Sequence, residues 1–331
     1  MNSTSNSTIS SGIKDYYIVC SISGILALIA VAISIMILIS VWRTKRTLHT
    51  VRHLLICNTC VASIFYCIIQ ATNYGFLIFD PEDTSDIGCR WRGYFAYISI
   101  CGVAYSFLIQ AISRLSISIF SMKYRWLVTY KVHQILIAIQ WFVAIIIPLP
   151  AIITKDIYFR PNALCWVPLK RTLHVLYTYF AYYVVPIISI FTIYIFIYYR
   201  VKKTANEARN LVRLVNRDKR DLRLLRNITI LLVIYFMGGI PTLLFIATSI
   251  RTLYLIGIVT ISLAVAVEKI CTILLDQELL EAIRKSILKS ARITPIYNTQ
   301  TTVKYQQNLT GSKVIFMQTT VHKQQISLKV M

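Results

Sequence analysis

The sequence has 331 residues, of which 56% are hydrophobic and only 15% charged, and its mean hydropathy is +0.64. Soluble domains are about half apolar and carry about a quarter charged residues, so this balance excludes an ordinary soluble domain and points to a lipid bilayer as solvent. The formal net charge of +22 would suggest nucleic acid in a soluble chain, but the basic residues fall between long uncharged runs. That is how membrane topology is written, and no nucleic-acid partner is expected.

In chain order, the polar stretch from Met1 to Gly12 comes first and lacks the basic start and small-residue cleavage site of a signal peptide. The first apolar run is therefore expected to be a true span. Asn2-Ser3-Thr4 and Asn6-Ser7-Thr8 are sequons, which makes Asn2 and Asn6 candidate glycosylation acceptors. Uncharged stretches follow at 16–42, 54–79, 93–113, 132–154, 172–199, 227–250 and 252–267. Each is close to or longer than the roughly 20 residues a helix needs to cross about 30 Å of hydrocarbon. Backbone amides in lipid must bond within their own segment, and barrel strands would show ten-residue alternation, so the expected fold is an all-α, seven-transmembrane helix bundle.

Lys and Arg set the orientation. Arg43, Lys45, Arg46 and Arg52 follow the first run, Lys123, Arg125 and Lys131 the third, and a dense series from Arg200 to Arg226 the fifth. Those loops are expected to be cytoplasmic, and the N-terminus outside. The loop after the second run is acidic, with Asp80, Glu82, Asp83 and Asp86. Two further sequons, at Asn227 and Asn308, fall on the cytoplasmic side and should stay bare. Of the eight cysteines, Cys89 and Cys165 stand outside the spans on the oxidising side, so they are expected to form a disulfide across the helix mouth. Cys20, Cys57, Cys60, Cys67, Cys101 and Cys271 fall within spans or beside them and read as small apolar filler.

Seven spans with this cysteine pair resemble the rhodopsin-like G protein-coupled receptor family. Arg114, in Ser113-Arg114-Leu115, stands 25 residues past Cys89, where the family has Asp-Arg-Tyr. Trp141 resembles the family's fourth-helix tryptophan, Pro186 the fifth-helix proline, Tyr194 the activation tyrosine eight residues later, and Pro241 the sixth-helix proline. The resemblance implies a receptor in the plasma membrane that transduces an extracellular ligand to a heterotrimeric G protein, with Arg114, Asp221, Tyr194 and Pro241 as coupling and activation residues. Asp221 lies 20 residues before Pro241, which in family spacing faces it toward Arg114 as a resting-state latch. The alternative is a local pair with Arg217 or Arg226 on a solvated face, worth only tenths of a kcal/mol.

Several positions depart from the family. Ser63 stands at the second-helix aspartate that holds sodium, Val103 at a third-helix serine, and Gly239 at the sixth-helix tryptophan, in Met237-Gly238-Gly239-Ile240-Pro241. Glycines beside a proline leave the helix easy to bend. Glu268-Lys269-Ile270-Cys271-Thr272 replaces Asn-Pro-x-x-Tyr. An ionisable pair within a span marks a functional site by default. Ser63, Glu268 and Lys269 thus form a candidate polar core in which Glu268 takes the missing aspartate's role. Alternatively, Lys269 snorkels to the surface while Glu268 bonds Ser63 or a water. A retinal Schiff base is not expected, since in opsins that lysine lies about two turns farther out, near Ser262.

Asp276-Gln277-Glu278 can cap a further helix, whose Leu279, Leu280, Ile283, Ile287 and Leu288 recur at helical spacing opposite Arg284, Lys285 and Lys289. The expected layout is an extracellular glycosylated segment 1–15, a receptor domain 16–276, a short amphipathic eighth helix 277–290 on cytoplasmic membrane lipids, and a disordered cytoplasmic tail 291–331.

Nothing resembles an enzyme: no phosphate-cradling glycine loop, metal spacing or hydrolase elbow is present, and no cofactor or metal is expected. Ala96 stands where amine receptors carry an aspartate, so a biogenic amine is not expected. Tyr94, Tyr97, Thr178, Tyr182 and Tyr183 are candidate ligand-pocket residues by register, although aromatics at this spacing also serve as packing. The acidic loop suggests a small basic peptide as ligand. The rival classes are a seven-helix transporter or channel, with helices broken at Pro148, Pro186 and Pro241, and a receptor-like protein with weak G protein coupling.

Overall fold

The computed structural model describes residues 3–44, 50–79, 85–117, 129–159, 164–207, 212–291, 303–307 and 313–317. The side chains at 3–13, 201, 203–207, 212–228, 232, 286–291 and in the last two segments lie outside that description. Among the described residues, seven helices are long and apolar enough to cross a membrane, so the chain is a multi-pass membrane protein. They are α1 (Ser3–Arg43), α2 (Val51–Phe79), α3 (Asp86–Leu115), α4 (Tyr130–Ile153), α5 (Thr172–Arg200), α6 (Val212–Thr248) and α7 (Arg251–Leu275).

Burial in α1 runs opposite to that of a soluble helix. Cys20, Ser23, Ala27, Ala30 and Ser34 are buried at three- and four-residue steps, while Ile25 is 60% and Leu28 67% exposed. Lipid tails are as apolar as leucine, so small residues face neighbouring helices and let backbones approach, and large ones face lipid. α3 runs through the centre, packed on α2, α4, α5 and α6, with Ala96, Cys101, Phe107 and Ala111 almost fully buried. Its first turn is held by Ser85, whose Oγ accepts from the Gly88 amide at 3.1 Å, with Asp86 at the positive end.

Prolines shape three helices in different ways. Pro148 divides α4 into Tyr130–Ile146 and Leu149–Ile153. Pro186 follows a π-helical segment, Phe180–Val184, within α5. A proline cannot donate to the carbonyl four residues back and crowds it, and the wider π turn relieves that clash. Tyr105 on α3 donates to the Ala181 carbonyl there at 3.2 Å. Pro241 leaves α6 continuous, and Thr260 on α7 donates to the nearby Gly238 carbonyl at 2.9 Å.

Two glycines seat α6 on α7. A Cβ on Gly238 would collide with the Ala264 Cβ, and one on Gly257 would come within 2.6 Å of Thr242 Oγ1. Gly238→Ala is expected to cost about 1–3 kcal/mol by overpacking this seam. Thermal unfolding of the detergent-solubilised protein measures it, and an unchanged midpoint would show that the two helices yield freely.

After α7, Asp276 Oδ1 accepts from the Leu279 amide at 3.3 Å and opens α8 (Gln277–Ala291). Leu279, Ala282 and Ile283 are buried against Ile37 and Val41 of α1 and Ile56 and Cys60 of α2, so the expected eighth helix is present and amphipathic. The chain divides into two compact units, Met1–Ile283 and Arg284–Met331. The second carries an antiparallel pair, β1 (Val303–Gln307) and β2 (Lys313–Met317), with Tyr305 opposite Ile315. Val303, Tyr305, Val314, Ile315 and Phe316 concentrate β-branched and aromatic residues in these two strands. Asn6 lies in the first turns of α1, and Asn2 lies outside the described residues.

Candidate functional site

Buried polar side chains form a chain of hydrogen bonds through α2, α3 and α4. Asn58 Nδ2 donates to Gln140 Oε1 at 2.6 Å, Gln140 Nε2 donates to the Gly102 carbonyl at 2.9 Å, and Trp141 Nε1 donates to Asn58 Oδ1 at 3.0 Å. One residue along, Gln110 Nε2 donates to Thr59 Oγ1 at 2.7 Å. In a dry interior these groups are costly unless paired, and paired they fix one register between helices. Trp141 was legible from the sequence, whereas Asn58, Thr59, Gln110 and Gln140 were not. The available signal was polar residues set in otherwise apolar spans.

Lys269 is 1% and Glu268 3% exposed. Lys269 Nζ lies 2.8 Å from Glu268 Oε2 and donates to the Thr59 carbonyl at 3.5 Å, while Thr272 Oγ1 donates to Glu268 Oε1 at 3.2 Å. Lys269 thus stays inside rather than snorkelling, and the ammonium takes up the carboxylate's charge within the bundle. Ser63 is buried, but its Oγ has no hydrogen-bond partner among the described residues, so the contact between Glu268 and Ser63 is not made.

At the α8 end of the bundle, Arg114 borders a small cavity of about 40 Å³ with Arg52, Thr59, Gln110, Leu231, Glu268 and Lys269 among its walls. Tyr194 of α5 is buried, with Arg114 and Thr229 beside it. Ser113, at the family's acidic position, is also buried, and its Oγ donates to His133 Nε2 of α4 at 2.9 Å. His133 Nδ1 faces the Thr129 carbonyl at 2.9 Å, and a carbonyl can only accept, so the ring proton sits on Nδ1 and Nε2 receives the serine. Asp221 lies on α6, and its side chain is outside the described residues, as is any latch to Arg114. Arg52 Nη2 lies 2.9 Å from Asp276 Oδ2, and His53 Nε2 lies 3.7 Å from the same oxygen and 4.0 Å from Glu278, tying α2 to the start of α8.

At the other end, Cys89 and Cys165 form the expected disulfide, with Cα atoms 5.3 Å apart. Gly93 makes room for it, since a Cβ there would collide with the Cys165 carbonyl. The tied segment lays Trp166 edge-on against Tyr97, with ring centroids 5.1 Å apart, and the Val167 amide donates to Tyr97 Oη at 3.1 Å. Beneath it lies a cavity of about 610 Å³, in the usual range for a small-molecule site. Tyr97, Thr178, Tyr182 and Tyr183 line it. Tyr94 does not: it donates to the Ile145 carbonyl of α4 at 3.0 Å, so its register carries it to the α4 face. Tyr66, Gln70 and Tyr74 of α2 complete the wall at four-residue spacing, a signal present in the sequence. Tyr183 also explains Gly239, because a Cβ there would come within 3.3 Å of the Tyr183 ring. An aromatic side chain from α5 thus packs beside the position where the family carries its α6 tryptophan.

A helical bundle in the membrane, closed at one end around an arginine and open at the other to a ligand-sized cavity, is the architecture of a seven-helix receptor. The sequence pattern of the 7 transmembrane receptor (rhodopsin family) matches residues 33–270, and the chain belongs to that family. No individual curated protein matches the chain.

Proposed function

We propose that this protein is a G protein-coupled receptor that carries an extracellular ligand's signal across the plasma membrane to a heterotrimeric G protein. The N-terminus, with its sequons at Asn2 and Asn6, lies outside, and α8 rests on the lipids of the inner leaflet. The observation that carries the reading is that α2, α3, α6 and α7 each line both the 610 Å³ cavity and the small cavity around Arg114. Ligand contacts at Tyr235 or Thr242 therefore act on the same helix as Leu231 at the inner end. A space of about 40 Å³ admits no protein segment, so coupling requires α6 to move away from α3, and Arg114 and Asp221 hold the resting arrangement.

Constitutive G protein activation in cells tests this, with wild type compared to Arg114→Ala and Asp221→Ala at equal surface expression. Asp221→Ala is expected to raise the basal signal by releasing the latch, and Arg114→Ala to lower it, because Arg114 also lines the cavity that opens to the G protein. If no variant activates any G protein while all reach the surface, the coupling reading fails. Ion or substrate flux would then separate a transporter from a receptor-like protein that couples weakly.

A further inference from the structure

We infer that the ligand of the large cavity is a small amphiphile with a flat apolar body and a single anionic head group. The inference rests on the reading of this cavity as the receptor's ligand site. Ten tyrosines, with Trp166 and Phe245, line it, and such rings offer broad apolar faces with hydroxyls at their edges. The charged residues among its described lining are Lys170, just before α5, and Arg251, the first residue of α7. No Asp or Glu is among the described residues that line it. The Arg251 guanidinium is held over the Tyr16 ring, 5.1 Å from its centroid, which fixes it near the mouth.

These features select by charge. An anion entering beside Lys170 and Arg251 is attracted, and its carboxylate meets donors suited to charge-assisted hydrogen bonds. Aromatic faces also attract cations, but a cationic ligand here would leave water without a carboxylate to pair with and under repulsion from Lys170 and Arg251. A basic peptide drawn by the acidic loop meets the same obstacle inside the cavity.

The test uses the purified full-length protein in nanodiscs and reads ligand-induced thermal stabilisation, which needs no G protein. Failure of coupling and failure of this inference are therefore distinguishable. The probes share one body and differ in head group: biphenylbutanoic acid, biphenylbutanol and biphenylbutylamine, with oleate as a lipid-derived anion and a tetra-arginine peptide as the cationic arm. The acid is expected to bind at least about tenfold tighter than the alcohol. Lys170→Gln and Arg251→Gln should each weaken the acid about fivefold and leave the alcohol within about twofold. Preference for biphenylbutanoic acid over oleate identifies a soluble aryl acid, and the reverse a lipid-derived one; either supports the class. Tighter binding of the amine or the peptide, or an unchanged acid affinity in both cation variants, would overturn it.

Discussion

A Lys269→Met variant is expected to lose about 3–5 kcal/mol of stability, because it leaves the Glu268 carboxylate charged and buried beside Thr272 with its ammonium partner gone. Methionine keeps the length and fills the volume, so the loss reports the charge rather than a hole. The melting temperature of the solubilised protein should fall by roughly 10 °C. Adding Glu268→Gln should restore most of it, since a neutral amide can accept from Thr272 without a counter-ion. A single variant as stable as wild type would show that the carboxylate carries no charge. Signalling should respond as well: Lys269 links α7 to the Thr59 carbonyl of α2, so loss of the pair frees α7 where it borders the inner cavity.

The second large effect is expected at the disulfide. Cys165→Ser removes a link between residues 76 apart, with a cost of about 2–4 kcal/mol. It also frees the segment that lays Trp166 and Val167 over Tyr97, so ligand binding should fall more than helix packing does. Reductant should lower the wild-type melting temperature toward that of the variant and leave the variant unmoved. Equal lowering of both would place the effect of reductant elsewhere.

The apolar runs located all seven helices, yet several helices extend past their runs. α3 begins at Asp86 rather than near Gly93, and α7 continues to Leu275 rather than stopping at Val267. Hydropathy stops at a charge, but a helix does not when the charge finds a partner: Lys269 satisfies Glu268, and Arg92 lies over the Phe76 ring at 3.9 Å. The disulfide was legible because the distribution of Lys and Arg left only two cysteines on the side expected to be oxidising. Register brought Tyr97, Thr178, Tyr182 and Tyr183 together but misplaced Tyr94, because a helix shows which residues share a face and not which neighbour that face meets. The pairings of Asn58 with Gln140 and of Ser113 with His133 join residues 82 and 20 apart, and no local pattern encodes them. Lys170 and Arg251 were readable as loop-end charges, but only the fold brings them to one cavity.

The seam at Gly238 and Gly257 has a mechanical consequence. Because α6 is seated on α7 there, next to Pro241, the fulcrum for any swing of α6 lies near its Thr248 end. From Pro241 to Val212 the helix forms a rigid arm of roughly 44 Å. A bend of only about 10° at the fulcrum would sweep the far end through roughly 8 Å, so an ångström-scale push from a ligand against Thr242 or Tyr235 is geared up into a displacement the size of a side chain.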